Sequence, residues 1–207
     1  PFDLLETLGL HDGRLRHRSE HLARMRSTAA HFGYPWDESR IGACLDELVR
    51  AHGQGAWRVR LLLNAQGLAR AEAAAFAPTP EPVLLALADR PFLQAHSEFS
   101  RHKTTRRAHY AAFAPTTGSD VFDTVLYNEA GEITESTFGN LAMLIDGRWV
   151  TPPLACGLLP GIGRAVALRE GRVVEAVVRV QDLPRVQGWA FINSLRDWLE
   201  ARLAPSN

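Results

Sequence analysis

The chain has 207 residues, 46% of them hydrophobic, so it can bury a sizeable core as one domain or as two small ones. Its 23 lysine and arginine residues balance 23 aspartate and glutamate residues, so no net positive charge favours nucleic acid or an anionic membrane. No apolar run is long enough to predict a transmembrane helix. We therefore expect a globular protein that binds neither nucleic acid nor membrane.

The first half of the chain predicts a strand-rich sheet with two amphipathic helices. The predicted elements are a strand at 2–10, a turn at Asp12 and Gly13, a helix whose apolar stripe ends at Gly33, a helix at 38–52, and strands at 57–63, 68–74 and 82–88. The strand at 82–88 is expected to complete the first sheet.

The second half predicts a different alternation of helices and strands. We expect a helix at 103–113, a strand at 120–128, short strands near Ile133 and at 141–145, a helix from Gly161 to about Glu170, strands at 173–180 and 189–192, and a terminal helix after Ser194. Periodicity lapses between residues 89 and 100. The pattern predicts two α+β lobes, a smaller one at 1–95 and a larger one at 96–207.

The cysteine content indicates a reducing compartment. The two cysteines, Cys44 and Cys156, form neither a disulfide framework nor the spacing of a metal site. We therefore expect a cytoplasmic protein without a bound metal.

Lys103 is the only lysine of the chain, and every other residue counted as lysine or arginine is arginine. Arginine replaces lysine freely as a surface charge, but a guanidinium cannot act as a nucleophilic amine. The pattern therefore favours a chemical role for Lys103, and the alternative is that a strong arginine bias leaves one lysine by chance.

Two further segments carry candidate functional residues. Residues 135–140, from Glu135 to Asn140, follow a predicted turn, and residues 151–164 lead from a strand into a helix that opens with Gly161 and Gly163. Glycines at a helix start suit a phosphate. The loop matches neither nucleotide motif, because it lacks the Walker lysine and Val166 stands where a third glycine is needed. Alone, it predicts an ordinary tight turn.

Taken with Lys103, these segments resemble the fold-type IV pyridoxal-phosphate enzymes, which include branched-chain and D-amino-acid aminotransferases and 4-amino-4-deoxychorismate lyase. The family signature is carried by Glu135, Asn140, Thr151, Gly161 and Arg164. Residues 102–110 and 2–8 are most similar to the lyase branch, particularly to domains fused behind an aminodeoxychorismate synthase component. The resemblance therefore implies a two-lobed α+β fold like that of D-amino-acid aminotransferase.

The same resemblance implies roles for individual residues. Lys103 would bind the aldehyde of pyridoxal 5'-phosphate covalently and later move protons, and Glu135 would keep the pyridine nitrogen protonated. Tyr110 would order the hydroxyl side of the cofactor or would serve as a core aromatic. The phosphate would be bound by Arg24, by the backbone N–H groups of Ile162 and Gly163, and by Ser194.

The expected function is release of pyruvate and 4-aminobenzoate from 4-amino-4-deoxychorismate in folate synthesis. The alternative is a branched-chain or D-amino-acid aminotransferase, in which Arg58 and Arg60 would hold the substrate carboxylate. A more remote alternative is a non-catalytic domain that binds a partner. The resemblance also implies a small-molecule substrate, a homodimer, and an aminodeoxychorismate synthase component as a candidate partner.

Overall fold

Twelve β-strands, five α-helices and two short 3₁₀ helices, at Leu154–Cys156 and Val180–Arg185, form the secondary structure of residues 1–205, the part of the chain that this computed structural model describes. Contacts between residues divide the chain into two compact units. The first comprises Pro1–Pro78 and His102–Arg106, and the second comprises Thr79–Arg101 and the residues from Arg107 onward. The division falls after Pro78, whereas the sequence predicted a boundary near residue 95. The short segment around Lys103 also returns to the first unit.

Four strands and two helices form the first unit, namely β1 (Leu4–His11), β2 (Arg14–Leu15), α1 (Arg18–Phe32), α2 (Glu38–Ala51), β3 (Ala56–Leu63) and β4 (Ala69–Ala75). The strands make an antiparallel sheet in the order β2-β1-β3-β4. Helix α1 contacts β1 and helix α2 contacts β4. Apolar side chains of the sheet and both helices share one core.

Strand β1 brings a carboxylate into this core. Side chains of a strand alternate between its two faces, so Glu6 shares a face with Leu4 and Leu8, which are fully buried. Helix α1 buries His21 and Met25 at helical spacing. The local structure therefore turns polar residues of α1 and β1 toward the same apolar interior.

The helix predicted at 103–113 is wrong for most of its length, because only Ala108–Ala111 is helical. The residues around Lys103 instead pair with the start of β1. The Leu5 N–H donates to the Lys103 carbonyl at 3.0 Å, and the Thr105 N–H donates to the Asp3 carbonyl at 2.8 Å. These bonds fix the lysine backbone as an extended segment beside β1.

The second unit holds the remaining elements: β5 (Val83–Leu87), α3 (Glu98–Arg101), α4 (Ala108–Ala111), β6 (Asp123–Tyr127), β7 (Ile133–Ser136), β8 (Asn140–Ile145), β9 (Arg148–Thr151), α5 (Ile162–Arg169), β10 (Val174–Glu175), β11 (Gly188–Asn193) and β12 (Asp197–Leu203). Its sheet has eight strands in the order β10-β9-β8-β11-β12-β5-β6-β7. Pairings on both sides of β5 and between β9 and β10 are parallel, and the others are antiparallel.

The prediction that β5 completes the first sheet is wrong. It lies between β12 and β6, and its Val83 and Leu85 are buried in the core of the second unit. An apolar strand pattern indicates burial, but it does not specify the partner strands.

The terminal helix predicted after Ser194 is also wrong, because the chain forms β12 there. Leu199 and Ala201 are buried whereas Glu200 and Arg202 are exposed, so the burial alternates as in a strand. Pairing with β11 and β5 makes this segment a strand, and this pairing outweighs the helix propensity of its residues. The last two residues of that prediction, Ser206 and Asn207, lie outside the described residues. The strand predicted at 173–180 is shorter, at Val174–Glu175.

Within residues 1–205, no helix is both long and apolar enough to cross a membrane. The same residues contain no group of three or more histidine, cysteine, aspartate or glutamate side chains that could hold a metal ion.

The turn at Gly157 offers a test of packing in the second unit. Gly157 has φ +90°, and a Cβ atom there would lie 2.4 Å from the Ala95 carbonyl oxygen. Gly157→Ala would combine the strain of a positive φ with a clash against the main chain. The substitution should therefore lower the free energy of unfolding by at least about 2 kcal/mol. Urea unfolding measures the change.

Gly171→Ala is the matched control. Gly171 also has a positive φ, +69°, but no heavy atom lies within 4 Å of the Cβ that the substitution adds. Strain alone should cost it about 1 kcal/mol. Equal losses in the two variants would contradict the proposed clash at Gly157.

Candidate active site

Lys103 lies in the first unit and is half-buried. Its backbone is held by the hydrogen bond from Leu5, so the root of the side chain has a defined position beside β1. The positive charge of Lys103 is one of the influences on the buried His21, whose pKa is lowered mainly by burial. The lysine amine therefore belongs to the electrostatic surroundings of the polar residues in this core.

Glu6, His21 and Arg24 form a buried network in the first unit. The Glu6 carboxylate accepts from Arg24 Nε at 2.9 Å and from Arg24 Nη2 at 2.6 Å, so the pair is bidentate. Oε2 of Glu6 also lies 2.6 Å from Nδ1 of His21. Glu6 and His21 are each 1% exposed, whereas Arg24 is 13% exposed. The network thus fixes the guanidinium from the buried side.

The charge state of this network follows from two opposing effects. Burial alone would raise the pKa of Glu6, but the charge of Arg24 and the hydrogen bonds from His21 and Arg24 outweigh it and lower the pKa to about 2. Burial lowers the pKa of His21, and Glu6 opposes that shift only in part. At neutral pH the carboxylate is therefore ionised and the imidazole is neutral.

Sequence reasoning selected Arg24 from this network but missed Glu6 and His21. The missed signal is the alternation along β1, which places Glu6 on the same face as Leu4 and Leu8. A charged residue at a core position of a strand requires a partner inside the protein.

Glu135 lies on β7 in the second unit and is 3% exposed. Its Oε1 accepts from the Tyr110 hydroxyl at 2.6 Å, and its Oε2 accepts from the Leu159 N–H at 3.0 Å. Burial, followed by the charge of Glu135, raises the pKa of Tyr110 well above its ordinary value. The phenol therefore stays protonated and donates to the carboxylate. Tyr110 also stacks on Phe92, with ring centroids 5.2 Å apart.

The loop before α5 is tied to the same carboxylate. Leu159 donates to Glu135 through its N–H and accepts from Asn140 Nδ2 at 3.0 Å through its carbonyl oxygen. Helix α5 then begins at Ile162, and its first N–H groups have no acceptor within the helix. A Cβ on Gly163 would lie 2.8 Å from the backbone of Asn193, the residue before Ser194. The loop thus brings Ile162, Gly163 and the β11 end together.

Two residues of the family signature, Arg164 and Thr151, make hydrogen bonds that stabilise the fold. Arg164 is 4% exposed, and it donates to the Pro152 carbonyl oxygen at 2.9 Å and pairs with Glu175. Thr151 donates through its hydroxyl to the Leu141 carbonyl oxygen at 2.7 Å. These bonds hold α5, β8, β9 and β10 in register around the loop.

The structure places the candidate residues in two groups. Arg24 and Lys103 lie in the first unit, and Tyr110, Glu135, Ile162, Gly163 and Ser194 lie in the second. Their chemistry fits pyridoxal 5'-phosphate, because they include a primary amine, a buried carboxylate and helix-terminal N–H donors. The buried Glu135 with its two donors is the observation that supports this fit most strongly.

Comparisons with known proteins agree with the motifs. The family described as amino-transferase class IV matches residues 3–203. A Schizosaccharomyces pombe protein provisionally named aminodeoxychorismate lyase is 33% identical over 178 residues, which cover 84% of this chain and 76% of that protein. A crystal structure from Mesorhizobium loti, provisionally named an amino-acid aminotransferase, is 36% identical, with a TM-score of 0.89 over 99% of this chain and 100% of that chain.

A 4-amino-4-deoxychorismate lyase from Pseudomonas aeruginosa has the same fold, with a TM-score of 0.78 and 20% identity over 97% of this chain and 82% of that chain. The predicted fold-type IV architecture and the resemblance to this group are confirmed. Because the family match extends over nearly the whole sequence, the chain belongs to the class IV aminotransferase family of pyridoxal-phosphate-dependent enzymes.

Proposed function

We propose that this protein is a pyridoxal-phosphate-dependent 4-amino-4-deoxychorismate lyase. The buried, doubly hydrogen-bonded Glu135 supports the cofactor part of the proposal. The lyase part is supported by the 33% identical relative that is provisionally named aminodeoxychorismate lyase. The substrate is a small molecule, and its products are pyruvate and 4-aminobenzoate for folate synthesis.

The bound cofactor supplies an electron-accepting ring that weakens the bonds at the substrate Cα. Lys103 is the only side chain of the protein with a primary amine, so it is the residue that would hold the cofactor aldehyde. A Lys103 amine that is not bound to the cofactor would act as the general base for the Cα proton of the substrate.

Glu135 would hold the proton on the ring nitrogen of the cofactor. An ionised carboxylate next to that nitrogen favours its protonated form, and the protonated ring accepts electrons better. Tyr110 and the Leu159 N–H fix both carboxylate oxygens, so no reorganisation is needed when charge develops. Tyr110 therefore serves the cofactor through Glu135 in this proposal.

The phosphate would be bound by two kinds of donor. The N–H groups of Ile162 and Gly163 stand at the positive end of the α5 dipole, and Ser194 follows the neighbouring Asn193. Arg24 would add a charged donor. These assignments follow the resemblance to the family and are consistent with the local geometry of each unit.

Aminotransfer is the second candidate reaction, favoured by the 36% identical Mesorhizobium loti protein that is provisionally named an amino-acid aminotransferase. It would use the same Lys103 and Glu135, with Lys103 both accepting the substrate proton and delivering it again. Arg58 and Arg60, on β3, would then hold the substrate carboxylate. Arg60 lies 3.6 Å from the exposed Glu72, so substrate would have to compete with that surface ion pair.

The remaining proposals concern the cellular setting. We propose a cytoplasmic homodimer that works with an aminodeoxychorismate synthase component, because that component produces the substrate of the lyase. A partner-binding domain without catalysis is disfavoured by the cost of burying the Glu135 carboxylate.

Replacing Glu135 by glutamine tests the role of the carboxylate. Because the amide carries no charge to stabilise a protonated ring, turnover should fall by about 100-fold or more, while the cofactor still attaches to Lys103. Steady-state kinetics and the visible spectrum measure both effects. Glu129→Gln, a change of an exposed residue in the same unit, should leave turnover unchanged. Full activity of Glu135→Gln would assign the pyridine contact to another residue.

The requirement for an acceptor separates the two reactions. Supplied with 4-amino-4-deoxychorismate, the protein should release pyruvate and 4-aminobenzoate in equal amounts over many turnovers without a keto acid. An aminotransferase stops after one turnover unless an acceptor such as 2-oxoglutarate removes the amino group. Product analysis by chromatography with and without 2-oxoglutarate provides the measurement. Acceptor-dependent turnover of an amino acid, with no pyruvate release from 4-amino-4-deoxychorismate, would establish the aminotransferase instead.

A further inference from the structure

His102, the residue before Lys103, lies against helix α1 within the first unit. Its ring stacks on the ring of His31, with centroids 4.2 Å apart and planes inclined by 19°. Phe32 makes an edge-on contact with the same ring, with centroids 5.4 Å apart. Nδ1 of His102 also lies 3.2 Å from Oγ1 of Thr28, within hydrogen-bond distance. Three residues of one helix therefore hold this imidazole.

The three contacts come from a short stretch at the end of α1. Residues 28, 31 and 32 are three and four positions apart, so they share one face of the helix. Thr28 is buried and His31 is exposed. Phe32 is fixed in turn by Phe2, whose ring contacts it edge-on with centroids 5.0 Å apart. His102 thus packs on side chains that have defined positions of their own.

The chain on the other side of Lys103 is held by β1. Thr104 is 2% exposed and forms an antiparallel bridge with Leu4. The Leu5 N–H donates to the Lys103 carbonyl oxygen at 3.0 Å. Lys103 therefore stands between two residues that are both held, one by α1 and the other by β1. Since the backbone sets the direction in which a side chain leaves it, these contacts orient the first part of the lysine side chain.

We propose that His102 is a positioning residue whose ring contacts with α1 hold the backbone at Lys103, so that the lysine amine is directed at the cofactor aldehyde. The inference rests on the proposed function, because it takes Lys103 to be the attachment residue. Attachment condenses the neutral amine with the aldehyde and releases one water. The lysine side chain is long and flexible, and a loose backbone would add further dihedrals to be ordered in that step. Contacts that fix the backbone beforehand reduce this cost.

Packing is the other role that these ring contacts can have. They stabilise the first unit whether or not they orient the lysine, so a less stable His102 variant would not by itself indicate positioning. The two roles differ in the binding step that they affect. Positioning acts on the reaction of the amine with the aldehyde, whereas damage to the fold weakens every mode of cofactor binding. A ligand that lacks the aldehyde separates them.

The test compares pyridoxal 5'-phosphate with pyridoxamine 5'-phosphate, which carries an amine in place of the aldehyde and cannot condense with Lys103. In His102→Ala the dissociation constant for pyridoxal 5'-phosphate should rise about 10-fold, the effect expected from losing two ring contacts, and attachment should slow. The affinity for pyridoxamine 5'-phosphate should stay unchanged. Absorbance of the attached cofactor and tryptophan fluorescence give both dissociation constants, and stopped-flow absorbance gives the rate of attachment.

Two further variants show whether the ring contacts are responsible. His102→Phe keeps an aromatic ring against both neighbours, so it should attach pyridoxal 5'-phosphate nearly as well as the wild type. His31→Ala removes the stacking partner from an exposed position, so it should fold and show a smaller loss of the same kind. The double variant His31→Ala/His102→Ala should attach the cofactor no more weakly than His102→Ala alone.

His52→Ala is the matched control in the same unit. The His52 ring contacts Trp57 with centroids 4.5 Å apart, and its Nδ1 donates to the Leu48 carbonyl oxygen at 2.9 Å. Trp57 pairs with Leu10, at the opposite end of β1 from the bridge to Thr104. The variant therefore loses a ring contact and a hydrogen bond away from Lys103, and it should bind both ligands as the wild type does. Thermal unfolding of each variant reports on folding.

Each outcome has a definite meaning. Unchanged attachment in His102→Ala overturns the inference, and so does an equal loss of affinity for pyridoxamine 5'-phosphate. A loss in His102→Phe as large as that in His102→Ala would also overturn it, because the ring contacts would then not be the cause. If His102→Ala does not fold, unchanged attachment in His31→Ala overturns the inference. A wild-type protein that does not attach pyridoxal 5'-phosphate overturns the proposed function as well, whereas the other results leave that function standing.

Discussion

A carboxylate buried in a protein core must be surrounded by donors, and this constraint organises both units of the protein. Glu6 in the first unit and Glu135 in the second are each nearly inaccessible to solvent. Each sits on a strand of a sheet, and each accepts hydrogen bonds through both of its oxygens. The elements that supply those donors, α1 in one unit and the loop before α5 in the other, are thereby fixed to the sheets.

The two carboxylates accept hydrogen bonds from different kinds of residue. Glu6 faces an arginine, so its charge is compensated inside the protein and its pKa falls to about 2. Glu135 accepts hydrogen bonds from the Tyr110 phenol and the Leu159 backbone N–H. In the proposed function, the Glu135 carboxylate would face the protonated ring nitrogen of the cofactor.

The family and many of the strands could be predicted from local sequence, because single residues and short motifs indicate them. The unique Lys103 and the spacing from Glu135 to Arg164 indicated the family, and the turns with glycine bounded most strands of the first half. Pairing between distant strands could not be predicted. β5 joins the second sheet through β6 and β12, and β12 lies far from β5 in the chain. The segment around Lys103 also adopts an extended conformation because it pairs with β1, which lies far away in the sequence.

The site residues could likewise be predicted from the sequence, but their hydrogen-bond partners could not. Lys103, Glu135 and Arg24 were selected by type and motif, whereas the network of Glu6 and His21 requires knowing that β1 faces α1. The bonds from Tyr110 and Leu159 to Glu135 depend on α4 and the loop before α5 lying against β7. Partners of buried polar groups are set by tertiary structure, and one strand or helix does not reveal them.

The central claim is that this is a pyridoxal-phosphate enzyme whose single lysine carries the cofactor, and covalent trapping tests it most directly. Borohydride reduction of the protein saturated with pyridoxal 5'-phosphate, followed by proteolysis and mass spectrometry, locates the attachment site. The account predicts one reduced cofactor per chain on the peptide that contains Lys103, and no side-chain adduct in Lys103→Arg. An unmodified Lys103 peptide under these conditions would contradict the account.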